Sequence, residues 1–163
     1  MRLHLIRHAN AEISAVSGKD FHRSLSEKGL LQCKKTKSLL LNLSWSQREV
    51  QAFSSSALRT KETAHLLFDQ QFDFSFHEDL YLCSVSNLMD FIWGLKTHCD
   101  IILVGHNNGL SDLASYFTEK NVFMKTGAVI SIEFPLTSSE ELSKGLGEIT
   151  YAHRCNIDAY PIN

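Results

Sequence analysis

Short apolar runs alternate with helix-like segments along most of the 163-residue chain. Residues 3–6, 49–53 and 101–104 are apolar runs of strand length, and a turn-forming segment follows each of them. Strands that alternate with helices indicate a mainly parallel sheet covered by helices on both faces. The sequence therefore predicts a three-layer α/β fold, in which the last two strand candidates, residues 129–134 and 148–153, form an antiparallel pair.

The helix candidates begin after small polar residues that favour the N-cap position. The segment 85–95 also carries Leu88, Ile92 and Leu95 on one helical face, and Leu110, Leu113 and Phe117 share a face in a later segment. Three serines are predicted as caps: Ser26 for a helix that runs toward Leu43, Ser56 for residues 57–68, and Ser84 for residues 85–95.

Composition and charge narrow the class of protein. Hydrophobic residues make up 44% of the chain and the formal net charge is −2, which indicates a globular protein without a broad basic surface for nucleic acid or membrane. No apolar run approaches the roughly 20 residues that span a bilayer. With no composition shift and only two prolines, we expect a single domain over residues 1–163.

The N-terminus and the cysteines predict a cytoplasmic location. Arg7 and His8 interrupt the first apolar stretch before a secretory signal could form. The cysteines are widely spaced, which is typical of reduced thiols that fill the core rather than of a zinc or redox motif. They are Cys33, Cys83, Cys99 and Cys155.

Two histidines and two arginines follow the strand candidates. Arg7 and His8 come after the first strand, Arg59 lies shortly after the second, and His106 follows the third. Since ligands of parallel sheets bind at the carboxyl ends of the strands, these side chains are expected to converge. Arginine binds phosphate oxygens in a bidentate way, and a neutral histidine can accept a phosphoryl group.

Other interpretations exist for each residue of this set. A histidine that follows a strand is often a surface or core residue, and Arg59 is also compatible with a solvated helix position. A metal site at His8 and His106 is disfavoured, because Arg7 would repel a cation and no third ligand has a recognisable spacing. The sequence therefore predicts neither a metal nor a cofactor.

Three segments resemble the signatures of the histidine phosphatase superfamily, which has the phosphoglycerate-mutase-like fold. Residues 5–9 (LIRHA) are similar to its Leu-x-Arg-His-Gly motif, residues 54–64 (SSSALRTKETA) to S-S-x-x-x-R-x-x-x-T-A, and residues 104–107 (VGHN) to its third motif. Residues 23–29 (RSLSEKG), 79–81, 109–114 and 126–128, together with the short length, resemble the SixA-type phosphohistidine phosphatase branch. The resemblance covers residues 1 to about 134, with Ala9 in place of the usual glycine.

The resemblance implies a phosphatase that forms a phosphohistidine enzyme intermediate. His8 would be the nucleophile, and Arg7, Arg59 and His106 would hold the phosphoryl oxygens without a metal or cofactor. Arg23 and Asn107 are further candidates for phosphate or substrate binding. The larger superfamily uses a carboxylate to protonate the leaving group, and the candidates for this acid are Glu78 and Asp79.

The lack of a clear leaving-group acid in the sequence indicates which class of substrate the protein would act on. An alkoxide leaving group needs a proton donor, whereas imidazole, with a pKa of about 6.5, leaves more easily. We therefore expect the substrate to be phosphohistidine in a signalling or phosphorelay protein. The alternatives are a low-specificity phosphatase for small phosphomonoesters and a non-catalytic phosphate-binding module.

Overall fold

The computed structural model describes residues 1–40 and 49–159 of the chain. Within this part, six strands form one sheet in the order β3-β2-β4-β1-β5-β6. The first four strands of that order are parallel, and β5 is antiparallel to both β1 and β6, as predicted for the last pair. The strands are β1 (Arg2–Arg7), β2 (Val50–Ser55), β3 (Phe74–His77), β4 (Asp100–Gly105), β5 (Lys120–Glu133) and β6 (Glu148–Ala159).

Helices cover both faces of the sheet, which confirms the predicted α/β architecture. They are α1 (Glu27–Leu40), α2 (Leu58–Phe68), α3 (Val85–Gly94) and α4 (Gly109–Thr118). Because side chains alternate along a strand, Leu3 and Leu5 of β1 pack in the core beneath α3 and α4, whereas Ile6 packs in a second core beneath α1 and α2. The central strands β1 and β4 are thus buried on both sides.

Two of the three predicted helix caps are present. The Gly29 N–H donates to Ser26 Oγ (3.2 Å) at the start of α1, and the Asn87 N–H donates to Ser84 Oγ (3.3 Å) at the start of α3. The predicted end of the first helix, near Leu43, lies outside the described residues.

The prediction for Ser56 is wrong. The helix α2 begins at Leu58, and Ala57 occupies the cap position without a side-chain cap. The Ser56 N–H donates instead to the His77 carbonyl (3.0 Å), which extends the pairing of β2 with β3 by one residue. The hydroxyl of Thr60 closes the first turn by donating to the carbonyls of Ser55 and Ala57.

The strand β5 is longer than the predicted segment 129–134. Residues 120–124 pair with residues 155–159 of β6. This extension places the Met124 carbonyl beside the carboxyl end of β1, where it accepts a hydrogen bond from Arg7.

The four cysteines are free thiols. Cys33 is buried and the other three are partly buried. Burial raises the pKa of Cys33 and of Cys155 to about 11, so both are protonated near neutral pH. Among the described residues, no helix combines the length and the apolar character needed to cross a membrane.

Candidate active site

The carboxyl ends of β1, β2 and β4 meet at one edge of the sheet. The His8 N–H donates to the Gly105 carbonyl (3.0 Å), which fixes the end of β1 against β4. A cavity of about 350 Å³ opens there and contains all four residues that the strand ends predicted to converge. Its lining residues are Arg7, His8, Asn10, Ala11, Asp20, Arg23, Arg59, Leu82, His106, Asn107 and Thr126.

His8 presents a neutral imidazole to this cavity. Its Nδ1 lies 2.7 Å from the Ala9 carbonyl, and because a carbonyl only accepts, Nδ1 carries the proton. Burial above all, with smaller contributions from the charges of Arg59 and Arg7, lowers the pKa of His8 to about 4 against the raising effect of the Ala9 hydrogen bond. The lone pair of Nε2 is therefore available as a nucleophile near pH 7.

Arg59 connects the two histidines. It is only 1% exposed, which is unusual for an arginine, and it lies in the first turn of α2. Its Nε donates to His8 Nε2 and its Nη2 to His106 Nδ1, both at 3.4 Å. These positions match an arginine that holds an anion between the two rings.

His106 is oriented by a serine of β2. Since Arg59 can only donate, Nδ1 of His106 accepts, and its Nε2–H donates to Ser55 Oγ (3.0 Å). Burial, together with the positive neighbours, lowers the pKa of His106 to about 3. The His106 ring centroid lies 5.2 Å from that of His8, close enough for both rings to contact one phosphoryl group.

One carbonyl of β5 positions both Arg7 and Asn107. Arg7 Nη1 donates to the Met124 carbonyl (2.8 Å), and so does Asn107 Nδ2 (2.9 Å). The Asn107 Oδ1 in turn accepts from the Ser111 hydroxyl (2.9 Å). The Nε–H of Arg7 is buried without an acceptor in the described part of the chain.

Arg23 reaches the cavity from the loop between β1 and α1. Its Nε donates to Asp20 Oδ1 (2.7 Å) and its Nη1 donates to the Glu12 carbonyl (2.7 Å). With Arg7 and Arg59, it gives the cavity wall three positive charges against the single negative charge of Asp20. The cavity thus suits an anion with two or more negative charges.

Asp20 and Tyr81 are site residues that sequence reasoning missed. The Tyr81 hydroxyl donates to Asp20 Oδ2 (2.5 Å), and the Tyr81 ring lies 5.7 Å from the Arg59 guanidinium. The Tyr81 hydrogen bond, followed by the charge of Arg59, lowers the pKa of Asp20 to about 2. The available signals were weak: Asp20 precedes Arg23 by three positions, and Tyr81 falls in the segment 79–81 noted above.

The two predicted acid candidates lie outside this arrangement. Glu78 and Asp79 form most of a short helical turn, Glu78–Leu80, and both are exposed. Neither lines the cavity, and the carboxylate that does so among the described residues is that of Asp20.

Comparison with known proteins identifies the fold. No family model matches the chain, and no curated protein matches it in sequence. Solved structures do match: one assigned to phosphohistidine phosphatase SixA from Nakamurella multipartitia has a TM-score of 0.79 at 18% identity and covers 93% of this chain and 94% of its own. The protein histidine phosphatase SixA complexed with tungstate has a TM-score of 0.75 at 17% identity, with coverages of 94% and 97%.

More distant structures share the architecture. A phosphoserine phosphatase from Entamoeba histolytica, in complex with 3-phosphoglyceric acid, has a TM-score of 0.60 at 12% identity and covers 98% of each chain. At these identities the similarity concerns the fold. The chain shares the fold of these phosphatase structures, and its TM-scores to the two SixA structures are higher than its TM-score to the phosphoserine phosphatase.

Proposed function

We propose that this protein is a metal-independent phosphatase that removes the phosphoryl group from phosphohistidine in a cytoplasmic signalling or phosphorelay protein. Residues 1–163 would form one histidine phosphatase domain. The observation that carries the proposal is the neutral Nε2 of His8, which borders a cavity walled by Arg7, Arg23 and Arg59. A nucleophilic nitrogen among phosphate-binding arginines suits phosphoryl transfer.

In the first step, the lone pair of His8 Nε2 attacks phosphorus. The new P–N bond forms as the P–N bond of the substrate breaks, and the substrate imidazole leaves with a proton taken from solvent. Arg7 and Arg59 hold the equatorial oxygens, while Arg23 and Asn107 contact the phosphoryl group from the rim. Preorganised donors of this kind stabilise the charge of the transition state.

In the second step, water attacks the phosphoryl group on His8. The P–Nε2 bond breaks, His8 regains its neutral form, and inorganic phosphate is released. His106 donates a hydrogen bond to a phosphoryl oxygen in both steps. Because its resting Nδ1 has no proton, His106 must take up a proton or exchange its tautomer with the help of Ser55 when phosphate binds.

The acid–base properties of the cavity support a phosphoramidate substrate. Asp20 is ionised at neutral pH, since its pKa is lowered to about 2, and in that form it cannot protonate a leaving group. Imidazole departs without a strong general acid, whereas an alkoxide does not. The cavity therefore matches phosphohistidine better than a sugar phosphate.

The cavity rim supports a substrate carried by a protein. Ile13 and Val16 are almost fully exposed. They lie on the loop between Ala11 and Asp20, and it is Ala11 and Asp20 that line the cavity. Leu82 also lines the cavity and is 54% exposed, with a left-handed backbone (φ 47°) that a leucine rarely adopts. Exposed aliphatic side chains on a loop whose two ends reach an anion site favour a protein partner that carries apolar surface near its phosphoryl group.

A low-specificity phosphomonoesterase is the second candidate. It is supported by the shared fold with a phosphoserine phosphatase in complex with 3-phosphoglyceric acid. In that case a carboxylic acid must reach the leaving oxygen, and Glu78 or Asp79 would have to move into the cavity. Comparing the two substrate classes separates the candidates.

The test measures phosphate release from a phosphohistidine-bearing protein domain and from an alkyl phosphomonoester, whose leaving group is an alkoxide, with a chelator present. We expect release from phosphohistidine by the wild type, and its loss in His8→Ala while inorganic phosphate still binds. Preference for the ester would assign a general phosphatase. Release from neither substrate, with phosphate bound normally, would indicate a binding module.

A further inference from the structure

Asp20 receives four hydrogen bonds from three side chains at the cavity. Its carboxylate accepts from Arg23 Nε (2.7 Å), from Arg59 Nη2 (2.9 Å) and from the Tyr81 hydroxyl (2.5 Å). Its backbone carbonyl accepts from Arg59 Nη1 (2.8 Å). These donors come from three separate parts of the chain, so Asp20 joins the loop before α1 to α2 and to the turn that follows β3.

The two contacts with Arg59 fix the orientation of its guanidinium. This group is planar, and its Nη1–Nη2 edge is held by the carbonyl and the carboxylate of Asp20. The remaining Nε–Nη2 edge then faces His8 and His106 at 3.4 Å, a long distance for a hydrogen bond. A phosphoryl oxygen between the rings is a better acceptor for that edge than either imidazole.

The charge of Asp20 is unfavourable for binding a phosphoryl anion. A carboxylate that lines the cavity repels the anion, and it shares Nη2 of Arg59 with it. Asp20 thus weakens ground-state binding while it orients the donor that the transition state needs. This combination separates an orienting role from simple phosphate affinity, because the two respond to substitution in opposite directions.

We propose that Asp20 is a positioning residue that locks Arg59 with its Nε–Nη2 edge toward the phosphoryl group, and that Tyr81 supports Asp20 in this position. The inference rests on the proposed function, since it takes phosphoryl transfer to His8 as the reaction. It assigns a role to a carboxylate that neither attacks the substrate nor donates a proton.

The test compares Asp20→Ala and Asp20→Asn with the wild type. We expect kcat to fall about 100-fold in Asp20→Ala, the usual effect of misplacing a catalytic group by about 1 Å. In Asp20→Asn the fall is smaller, about 10-fold, because the amide oxygen still accepts from Arg59. The dissociation constant for inorganic phosphate, measured by calorimetry, stays equal or becomes lower in both variants.

The matched control is Asp69→Asn. Asp69 is an exposed carboxylate that pairs with Lys37, and asparagine tolerates its positive φ of 50°. This variant should keep both kcat and phosphate affinity. A loss of phosphate binding in Asp20→Ala that parallels the loss of kcat, with a lower melting temperature, would show that Asp20 only stabilises the loop between β1 and α1. An unchanged kcat would also overturn the proposal.

A substrate-free readout separates this inference from the proposed function. The ¹⁵N NMR signal of Arg59 Nε should shift or broaden in Asp20→Ala and stay in place in Asp69→Asn, whatever substrate the enzyme accepts. An unchanged Arg59 signal in Asp20→Ala would refute the positioning role. Failure of the wild type to release phosphate from phosphohistidine would instead refute the proposed function and leave the NMR result interpretable.

Discussion

His4 and His8 belong to the same stretch of chain and share most of their physical properties. His4 lies within β1 and His8 directly follows it; they are 5% and 8% exposed. Burial lowers the pKa of each to about 4. Their neighbours differ: His4 Nδ1 meets the Ser131 hydroxyl (2.8 Å) between β1 and β5, whereas His8 Nε2 meets Arg59 in the cavity.

The comparison shows that burial and a lowered pKa do not by themselves mark a catalytic histidine. A central strand buries any histidine that it carries, and desolvation then disfavours the charged form. What distinguishes His8 is its place after the carboxyl end of the strand, where the arginines of other elements converge. The following predictions test that distinction, from the largest expected effect to the smallest.

The same substitution at both histidines should separate them. His8→Gln removes the nucleophile, and we expect kcat for phosphohistidine to fall by more than about 10⁴-fold. His4→Gln should keep kcat within about threefold while lowering the urea midpoint, because it disturbs the contact with Ser131. A comparable loss of kcat in a folded His4→Gln protein would contradict the distinction.

Arg59→Lys tests whether the planar guanidinium beside His8, and not only its charge, is needed for activity. Lysine keeps the charge but cannot hold Asp20 with one edge and face both histidines with the other. We expect kcat/KM to fall by about 10²- to 10³-fold. Arg2→Lys makes the same change in an arginine that pairs with Glu133 on the surface, and its steady-state kinetics should equal those of the wild type.

The pH dependence of stability should include both kinds of buried histidine. Below about pH 6.5 the unfolded chain binds protons at His4, His8 and His106. In the folded chain these histidines stay neutral until the pH approaches 4, or 3 for His106. The free energy of unfolding therefore falls as the pH drops from 6.5 toward 4, by up to about 1.4 kcal/mol per pH unit for each histidine. Urea titrations at pH 7 and 5 measure this change.

His4→Gln sharpens the same experiment. It removes one of these three histidines, so the slope of the free energy of unfolding against pH should become shallower. A wild-type protein whose free energy of unfolding is equal at pH 7 and pH 5 would show that these histidines are not held neutral.

Substitutions in the exposed loop beside the cavity should have the smallest effect on activity. The double variant Ile13→Ser and Val16→Ser should lower kcat/KM for a phosphohistidine protein about 3- to 10-fold, since each aliphatic side chain contributes about 1 kcal/mol or less at an interface edge. Hydrolysis of small phosphoramidates should not change. The control is Leu66→Ser, because Leu66 is an exposed leucine of α2. An equal loss of kcat/KM in this variant would contradict a specific role of Ile13 and Val16 in binding the protein substrate.

The sequence was sufficient to predict the residues that lie at strand ends. His8 and His106 come at or just after the ends of apolar runs and Arg59 lies a few residues after another, so local pattern and sheet geometry place them together. Asp20 and Tyr81 were beyond its reach, because their contacts join residues 39 and 61 positions apart and depend on how a loop folds over the cavity. The wrong cap at Ser56 has a similar cause, since pairing with His77 overrides the local preference of serine.

The most direct test of the account is detection of a phosphoryl group on His8 during turnover. The enzyme is mixed with a ³²P-labelled phosphohistidine protein, quenched with base within milliseconds, and digested for mass spectrometry. The account predicts an acid-labile label on His8 that decays into inorganic phosphate and is absent from His8→Ala. Phosphate release at full rate without label on His8, or label on another residue, would contradict it.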